Sequence, residues 1–214
     1  MDPQELAKHL KKPEGEFGIQ VSQMMHKGNA GFYLRLPQLL QLEGNEAVLE
    51  VGMGAGLHFS VFSDLLPRGE LVGVDYSPSM VAEAARNSTA LSNVSVVLGD
   101  ATDLPFMPER FDIVFTINTV YFYRLLDAFN QYHRVLKNKG VLVIGKRTKE
   151  DLLNLGAVTQ HGFNRVDTQE VISAAETAGF RFIDQKCFED QPAEIGNEVI
   201  QLHSEFLIFQ KPTC

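Results

Sequence analysis

The chain has 214 residues, 44% of them hydrophobic and 21% charged, which supplies one compact core and excludes a disordered or fibrous protein. Lys and Arg number 19 against 27 Asp and Glu, and a net charge of −8 would repel a phosphate backbone, so a nucleic-acid partner is not expected. No basic start precedes an apolar run and no stretch approaches the ~20 apolar residues of a membrane span. Cys187 and Cys214 have neither metal-ligand nor redox spacing, and a cytoplasmic address is expected.

Residues 11–17 are polar and carry Pro and Gly, whereas 21–25 and 32–42 have helical spacing and hold Met24, Met25, Phe32, Tyr33, Leu36, Leu39 and Leu40. Residues 1–45 therefore read as an N-terminal helical cap on a domain covering 46–214. The cap's aromatic and Met side chains either pack on a sheet or line a pocket. From residue 46 onward short apolar runs alternate with amphipathic segments, the pattern of an α/β domain on a mostly parallel sheet. Strands are predicted at 47–51, 70–74, 94–98, 111–117, 140–146, 180–188 and 199–210. Only a turn-prone stretch separates the last two, which predicts an antiparallel hairpin at the end of the sheet.

The run Val48-Leu49-Glu50-Val51-Gly52-Met53-Gly54-Ala55-Gly56-Leu57 passes from strand through glycines into helix, a geometry that sets a ligand against backbone N–H groups. A dinucleotide fingerprint would need glycine where Leu57 stands. A P-loop would need a Gly-Lys-Ser/Thr ending, and no Lys or Arg lies between Val48 and Pro67. Glu50 is a carboxylate inside a strand buried on both faces, so it needs a partner. The second strand ends at Asp75, where α/β cofactor sites hold ribose hydroxyls. Ser77 and Pro78 already supply the next helix with its N-cap and first-turn proline, which leaves Asp75 free for a ligand. The third strand ends in Leu98-Gly99-Asp100-Ala101, with Asp100 either a ligand or the cap of a turn at 101–104, and the fourth ends at Asn118.

Across 46–146 these residues resemble the class I S-adenosylmethionine-dependent methyltransferases. The resemblance rests on Glu50-Val51-Gly52-Met53-Gly54-Ala55-Gly56, Val74-Asp75-Tyr76-Ser77-Pro78-Ser79-Met80, Gly99-Asp100-Ala101 and Leu136-Lys137-Asn138-Lys139-Gly140-Val141-Leu142, four motifs in family order. It implies a doubly wound, Rossmann-like, seven-stranded sheet of order 3-2-1-4-5-7-6 with the last strand antiparallel, and S-adenosylmethionine over the switch point between strands one and four. It further implies that the loop from Gly52 through Met53 and Gly54 to Gly56 holds the methionine portion, with Glu50 bracing that loop or facing the ammonium. Asp75 would take the ribose hydroxyls, Asp100 and the Ala101 N–H the adenine edge, Tyr76 and Met80 its faces, and Asn118 would lie near the transferred methyl. The cofactor has no phosphate, which agrees with the absence of basic residues from the loop.

The subclass motifs of base-amine and cytosine-C5 enzymes are missing, as is the Asp-Asn pair of metal-dependent catechol enzymes, so a small-molecule acceptor and no metal are expected. Tyr121, Tyr123 and His161 are the candidates for touching that acceptor, although each reads first as a pocket wall or surface residue. His58 either closes over the cofactor or lies on a helix face, and His133 reads as structural. Arg124, Lys146, Arg147 and Arg165 form either a basic rim or, more simply, solvated surface. Two other functions fit the fold: a non-catalytic cofactor-binding or partner-activating protein, and an NAD(P)-dependent oxidoreductase. The shifted glycine and the absence of a Tyr-x-x-x-Lys pair count against the oxidoreductase.

Overall fold

The computed structural model describes residues 2–156, 158–195 and 198–213. Three helices open the chain: α1 (Pro3–Lys11), α2 (Gly15–Gly28) and α3 (Ala30–Leu40). α1 was not expected, yet its start is encoded in two residues. Asp2 accepts from the backbone N–H groups of Gln4 at 3.4 Å and Glu5 at 3.2 Å, and Pro3 takes the first helical position. Residues 11–17 accordingly end one helix and begin another.

The domain that follows carries β1 (Ala47–Val51), α4 (Phe59–Leu65), β2 (Glu70–Asp75), α5 (Pro78–Asn87), β3 (Val94–Leu98), β4 (Phe111–Ile117), α6 (Leu125–Val135) and β5 (Leu136–Lys146). Beyond these lie α7 (Lys149–Asn154), α8 (Thr168–Thr177), β6 (Arg181–Glu189), β7 (Ala193–Ile195), β8 (Glu198–Ile200) and β9 (His203–Gln210). Seven strands form one sheet in the order β3-β2-β1-β4-β5-β9-β6, which among the sheet's own members is 3-2-1-4-5-7-6. β9 runs antiparallel to β5 and β6, and the remaining neighbours are parallel.

The expected single strand at 199–210 is divided. β8 pairs only with β7 in a short ribbon, and the chain breaks at Gln201–Leu202 before β9 begins. At the break the Leu202 carbonyl accepts from the Asp190 N–H, and Val199 is 71% exposed, so neither ladder bonds nor apolar burial draws this end into the sheet.

Alternation along β1 distributes the core over both faces of the sheet. Leu49 and Val51 join Phe129, Tyr132 and Phe209 on one side, while Val48 joins Phe62, Phe115 and Phe206 on the other. Phe32 and Leu36, one turn apart on α3, are fully buried in that second cluster and fasten the N-terminal helices to the sheet. No helix of the described residues is long and apolar enough to cross a membrane.

Candidate functional site

β1 pairs in parallel with both β2 and β4, so Val51 lies between Val74 and Thr116 while the connections leave β1 and β4 in opposite directions. The gap this opens at the strand ends is where ligands bind in open α/β sheets. An open cleft lies there, lined by the ends of β1, β2 and β4 and by the N-terminal helices.

The glycine loop forms one wall. The Gly52 and Met53 N–H groups donate to the Val74 carbonyl at 2.8 and 3.3 Å, which ties the loop to β2. Gly52 has φ +79°, and a Cβ on it would stand 2.3 Å from the Thr119 methyl. Gly54, at φ +56°, is open for a different reason: a Cβ there would meet no protein atom within 4 Å and would project into the cleft. The structure thus leaves a backbone cradle for a ligand at that position.

Asp75 closes β2 with its carboxylate fixed from both sides. Oδ2 accepts from the Gly54 N–H at 3.0 Å and Oδ1 from the Ser77 N–H at 2.9 Å. Ser77 caps α5 itself, with Pro78 in the first turn, so Asp75 is not spent as the helix cap. Burial raises the Asp75 pKa and the Glu50 charge adds to this, while the two N–H groups pull it back down. Tyr76 follows, lining the cleft and donating its hydroxyl to the Lys11 carbonyl at 2.7 Å, so the end of α1 lies beside the site.

Glu50 finds its partner in His58. The His58 Nε2 lies 2.6 Å from Glu50 Oε2, and both side chains are buried, at 3% and 0% exposure. The second carboxylate oxygen, Oε1, is the one buried side-chain polar atom without a hydrogen bond among the described residues. The His58 ring is buried at the start of α4, stacks on Tyr33 of α3 at 3.8 Å and 9°, and contributes to the lining of the cleft.

Asn118 ends β4 with φ +55°, a left-handed conformation that Asn tolerates. Its Nδ2 donates to Asn29 Oδ1 at 2.8 Å, and its Oδ1 accepts from the Arg147 N–H at 3.0 Å and the Tyr121 hydroxyl at 3.1 Å. Met53, Gly56, Ala101 and Asn118 line the cleft. Met80 is fully buried outside the lining, and the exposed Asp100 turns its Oδ1 to the Thr102 N–H at 2.8 Å, closing a turn.

Among the acceptor candidates, Tyr123 lines the cleft, its hydroxyl within hydrogen-bond distance of Thr119 and Tyr132. Tyr121 is buried behind it on Asn118, and burial raises both phenols. His161 is exposed and outside the lining. The basic residues form no rim. Lys146 is buried against Glu205, and Arg147 against Asp190, which also pairs with Arg35; the reading of these two as solvated surface is corrected by their acidic partners. Arg124 is exposed and Arg165 donates to the Thr159 carbonyl at 3.3 Å.

The N-terminal helices supply residues that the strand-end motifs do not mark. Phe32 and Leu36 pack on the sheet, while Ser22, His26, Asn29 and Tyr33, with Met25 beside them, line the cleft. Their signal in sequence is the spacing 22, 26, 29, 33, with a polar or aromatic side chain at each step.

Crevice, glycine loop and the oriented Asp75 carboxylate make a ligand-binding α/β domain with its site at the switch point of the sheet. Residues 48–140 match the methyltransferase-domain family. The chain is 32% identical over 158 residues to the malonyl-[acyl-carrier protein] O-methyltransferase of Herminiimonas arsenicoxydans, a match covering 70% of this chain and 58% of that one. It is 26% identical over 184 residues to the demethylmenaquinone methyltransferase of Staphylococcus carnosus, covering 72% and 76%. Among solved structures, the chain bound to the Haloferax volcanii Trm112 methyltransferase activator superposes with a TM-score of 0.74 at 20% identity, over 90% of this chain and 94% of that one. These matches support a methyltransferase domain of the class I S-adenosylmethionine-dependent kind, whose fold the solved structures share.

Proposed function

We infer that this protein moves a methyl group from S-adenosylmethionine to a small-molecule acceptor in the cytoplasm, releasing S-adenosylhomocysteine. The observation that carries the reading is the Asp75 carboxylate, fixed in the cleft by the Gly54 and Ser77 N–H groups beside a loop whose Gly54 leaves room for a ligand. Behind that loop Glu50 Oε1 is a buried carboxylate oxygen without a hydrogen bond among the described residues, which is costly, and the ammonium of a methionine-type ligand that reached it would satisfy it. The residues present fit the cofactor. Asp75 has both oxygens oriented and lone pairs left for ribose hydroxyls, and Tyr76 and Ala101 stand where adenine would lie. Asp100 would join them by leaving its turn, and Met80 would act from beneath.

When bound, the cofactor supplies a methyl group activated on a sulfonium. The chain's own contribution is alignment and exclusion of water, which suffice for much of the acceleration of an in-line displacement. Asn118, locked between Asn29 and Arg147, would fix the methionine end, while Tyr33, Phe122 and Tyr123 wall the acceptor's side of the cleft. The relatives named for methylation of a carrier-bound malonyl group and of demethylmenaquinone support an acceptor that is neither protein side chain nor nucleic acid. Incubation with methyl-labelled cofactor and a panel of phenols, thiols, carboxylic acids and amines tests this. Label in one acceptor class is the expected result; cofactor binding with no acceptor labelled would favour the non-catalytic or partner-activating alternative.

A further inference from the structure

His26 is a titratable side chain of the cleft that the cofactor reading leaves unused. It lies near the end of α2 with its ring half-buried, stacked toward Tyr33 at 5.6 Å and toward His58 at 6.0 Å. Three residues on, Asn29 accepts from Asn118, so His26 is held within about one helical turn of the mouth of β4. His58 is engaged with Glu50 and His203 with Asp151, whereas the His26 ring makes no protein hydrogen bond among the described residues. Stacking fixes the ring and leaves its nitrogens for a ligand.

We propose that His26 is the catalytic base for this reaction, taking the proton from the hydroxyl of a phenol- or enol-type acceptor. The proposal rests on the methyl-transfer reading above and adds a substrate class to it. Met25, Tyr33, Ile117 and Phe122 give the cleft apolar and aromatic walls suited to a flat ring. An imidazole transfers protons efficiently with acids near its own strength, which phenols and enols approach and aliphatic alcohols do not; an amine that reacts through a free lone pair needs no base.

In the step, the acceptor oxygen forms the new bond to the methyl carbon as that carbon's bond to sulfur breaks, the electron pair staying on sulfur. The O–H electron pair stays on oxygen, its proton passes to a His26 ring nitrogen, and the imidazolium later gives it to solvent through the open side of the cleft. Burial first, and the nearby His58 second, lower the His26 pKa, which favours the neutral ring that accepts a proton. The other titratable groups around the cleft are His58 and Glu50 behind the glycine loop, Tyr33 on α3, Lys11 at the end of α1, Asp75 with Tyr76 at the end of β2, and Tyr123 after β4.

The test measures methylation of phenols of graded acidity by the full-length protein with S-adenosylmethionine. The wild type is expected to methylate weakly acidic phenols, and His26→Gln to lose about a hundredfold in kcat on them while keeping most of its rate on 4-nitrophenol at a pH that ionises it, with its affinity for S-adenosylhomocysteine unchanged. Histidine ring nitrogen NMR of the wild type saturated with S-adenosylhomocysteine gives a second readout, with the His26 signals shifting when a phenol is added and staying in place with an aliphatic alcohol. An equal loss on both kinds of phenol, no loss on either, unshifted His26 signals, or no methylation of any phenol by the wild type would overturn the proposal. So would a His26→Gln loss of about tenfold or more in S-adenosylhomocysteine affinity, which would make His26 a cofactor ligand instead. Failure of the wild type to bind S-adenosylhomocysteine at all would remove the underlying function, a different result from any of these.

Discussion

Replacing His58 with Ala isolates the energetics of the site's buried charge. Glu50 is 0% exposed and its Oε1 is already unpartnered, so removing the ring 2.6 Å from Oε2 strands the whole carboxylate. Breaking a buried pair by deleting one member costs about 3–5 kcal/mol, chiefly through the uncompensated charge left behind. For a protein of 214 residues, at about 2–4 °C per kcal/mol, the melting temperature is expected to fall by about 6–20 °C. The ring also stacks on Tyr33 at 3.8 Å, so part of the loss comes from packing and survives when the charge is removed. The assay is circular-dichroism melting at neutral pH of the wild type, His58→Ala and the double variant Glu50→Gln/His58→Ala. The double variant is expected to regain about half of the loss, because an amide is far cheaper to leave buried than a carboxylate. A single-variant loss under about 1 kcal/mol, the size of a surface ion pair, would refute the reasoning. A double variant no more stable than the single would refute it as well.

Three further predictions concern the ligand. Asp75→Ala removes the acceptor held by the Gly54 and Ser77 N–H groups and should weaken S-adenosylmethionine binding by about 1–3 kcal/mol; unchanged affinity in calorimetry would remove Asp75 from the ribose. Gly54→Ala places a methyl in the cradle at φ +56°, which should cost about 1–2 kcal/mol in stability and, independently, about tenfold or more in cofactor affinity; a variant that melts lower yet binds normally would show that the cradle is not occupied. The third concerns pH. The Asp75 carboxyl is raised by burial, and cofactor hydroxyls donate more strongly to its ionised form, so affinity is full above that raised pKa and weakens as the pH falls through it, earlier than an ordinary aspartate would allow. The same shift means the native state binds more protons than the unfolded one between the ordinary and the raised value, so Asp75 makes the unliganded protein less stable as pH rises through that window. Affinity that stays flat down to the ordinary aspartate range in a calorimetric pH series would contradict both statements.

What the sequence makes legible follows from how local each signal is. β1 and β4 begin and end where their apolar runs do, because Val48, Phe111 and their neighbours are buried on a sheet covered on both faces. The strand order comes from the resemblance and not from periodicity, which cannot order strands. The division of 199–210 into β8 and β9 is hidden because Val199 and Ile200 look like strand residues, and only the tertiary bond from Asp190 to Leu202 marks the break. Lys146 and Arg147 read as surface for the same reason: their partners Glu205 and Asp190 are far away in sequence, and no local pattern announces a buried pair. The need of Glu50 for a partner is legible from its strand, but the identity of that partner depends on the turn that brings His58 back over β1. The cap's contribution is the least legible part, since one helical run sends Phe32 to the core and Tyr33 to the cleft.

The central claim is that the cleft takes S-adenosylmethionine. Calorimetric titration of the purified protein with S-adenosylmethionine and S-adenosylhomocysteine, with NAD and NADP as controls, tests it most directly. Micromolar binding of the first two with no heat from the dinucleotides is the predicted result; tight NAD binding, or no binding of either adenosyl compound, would contradict it.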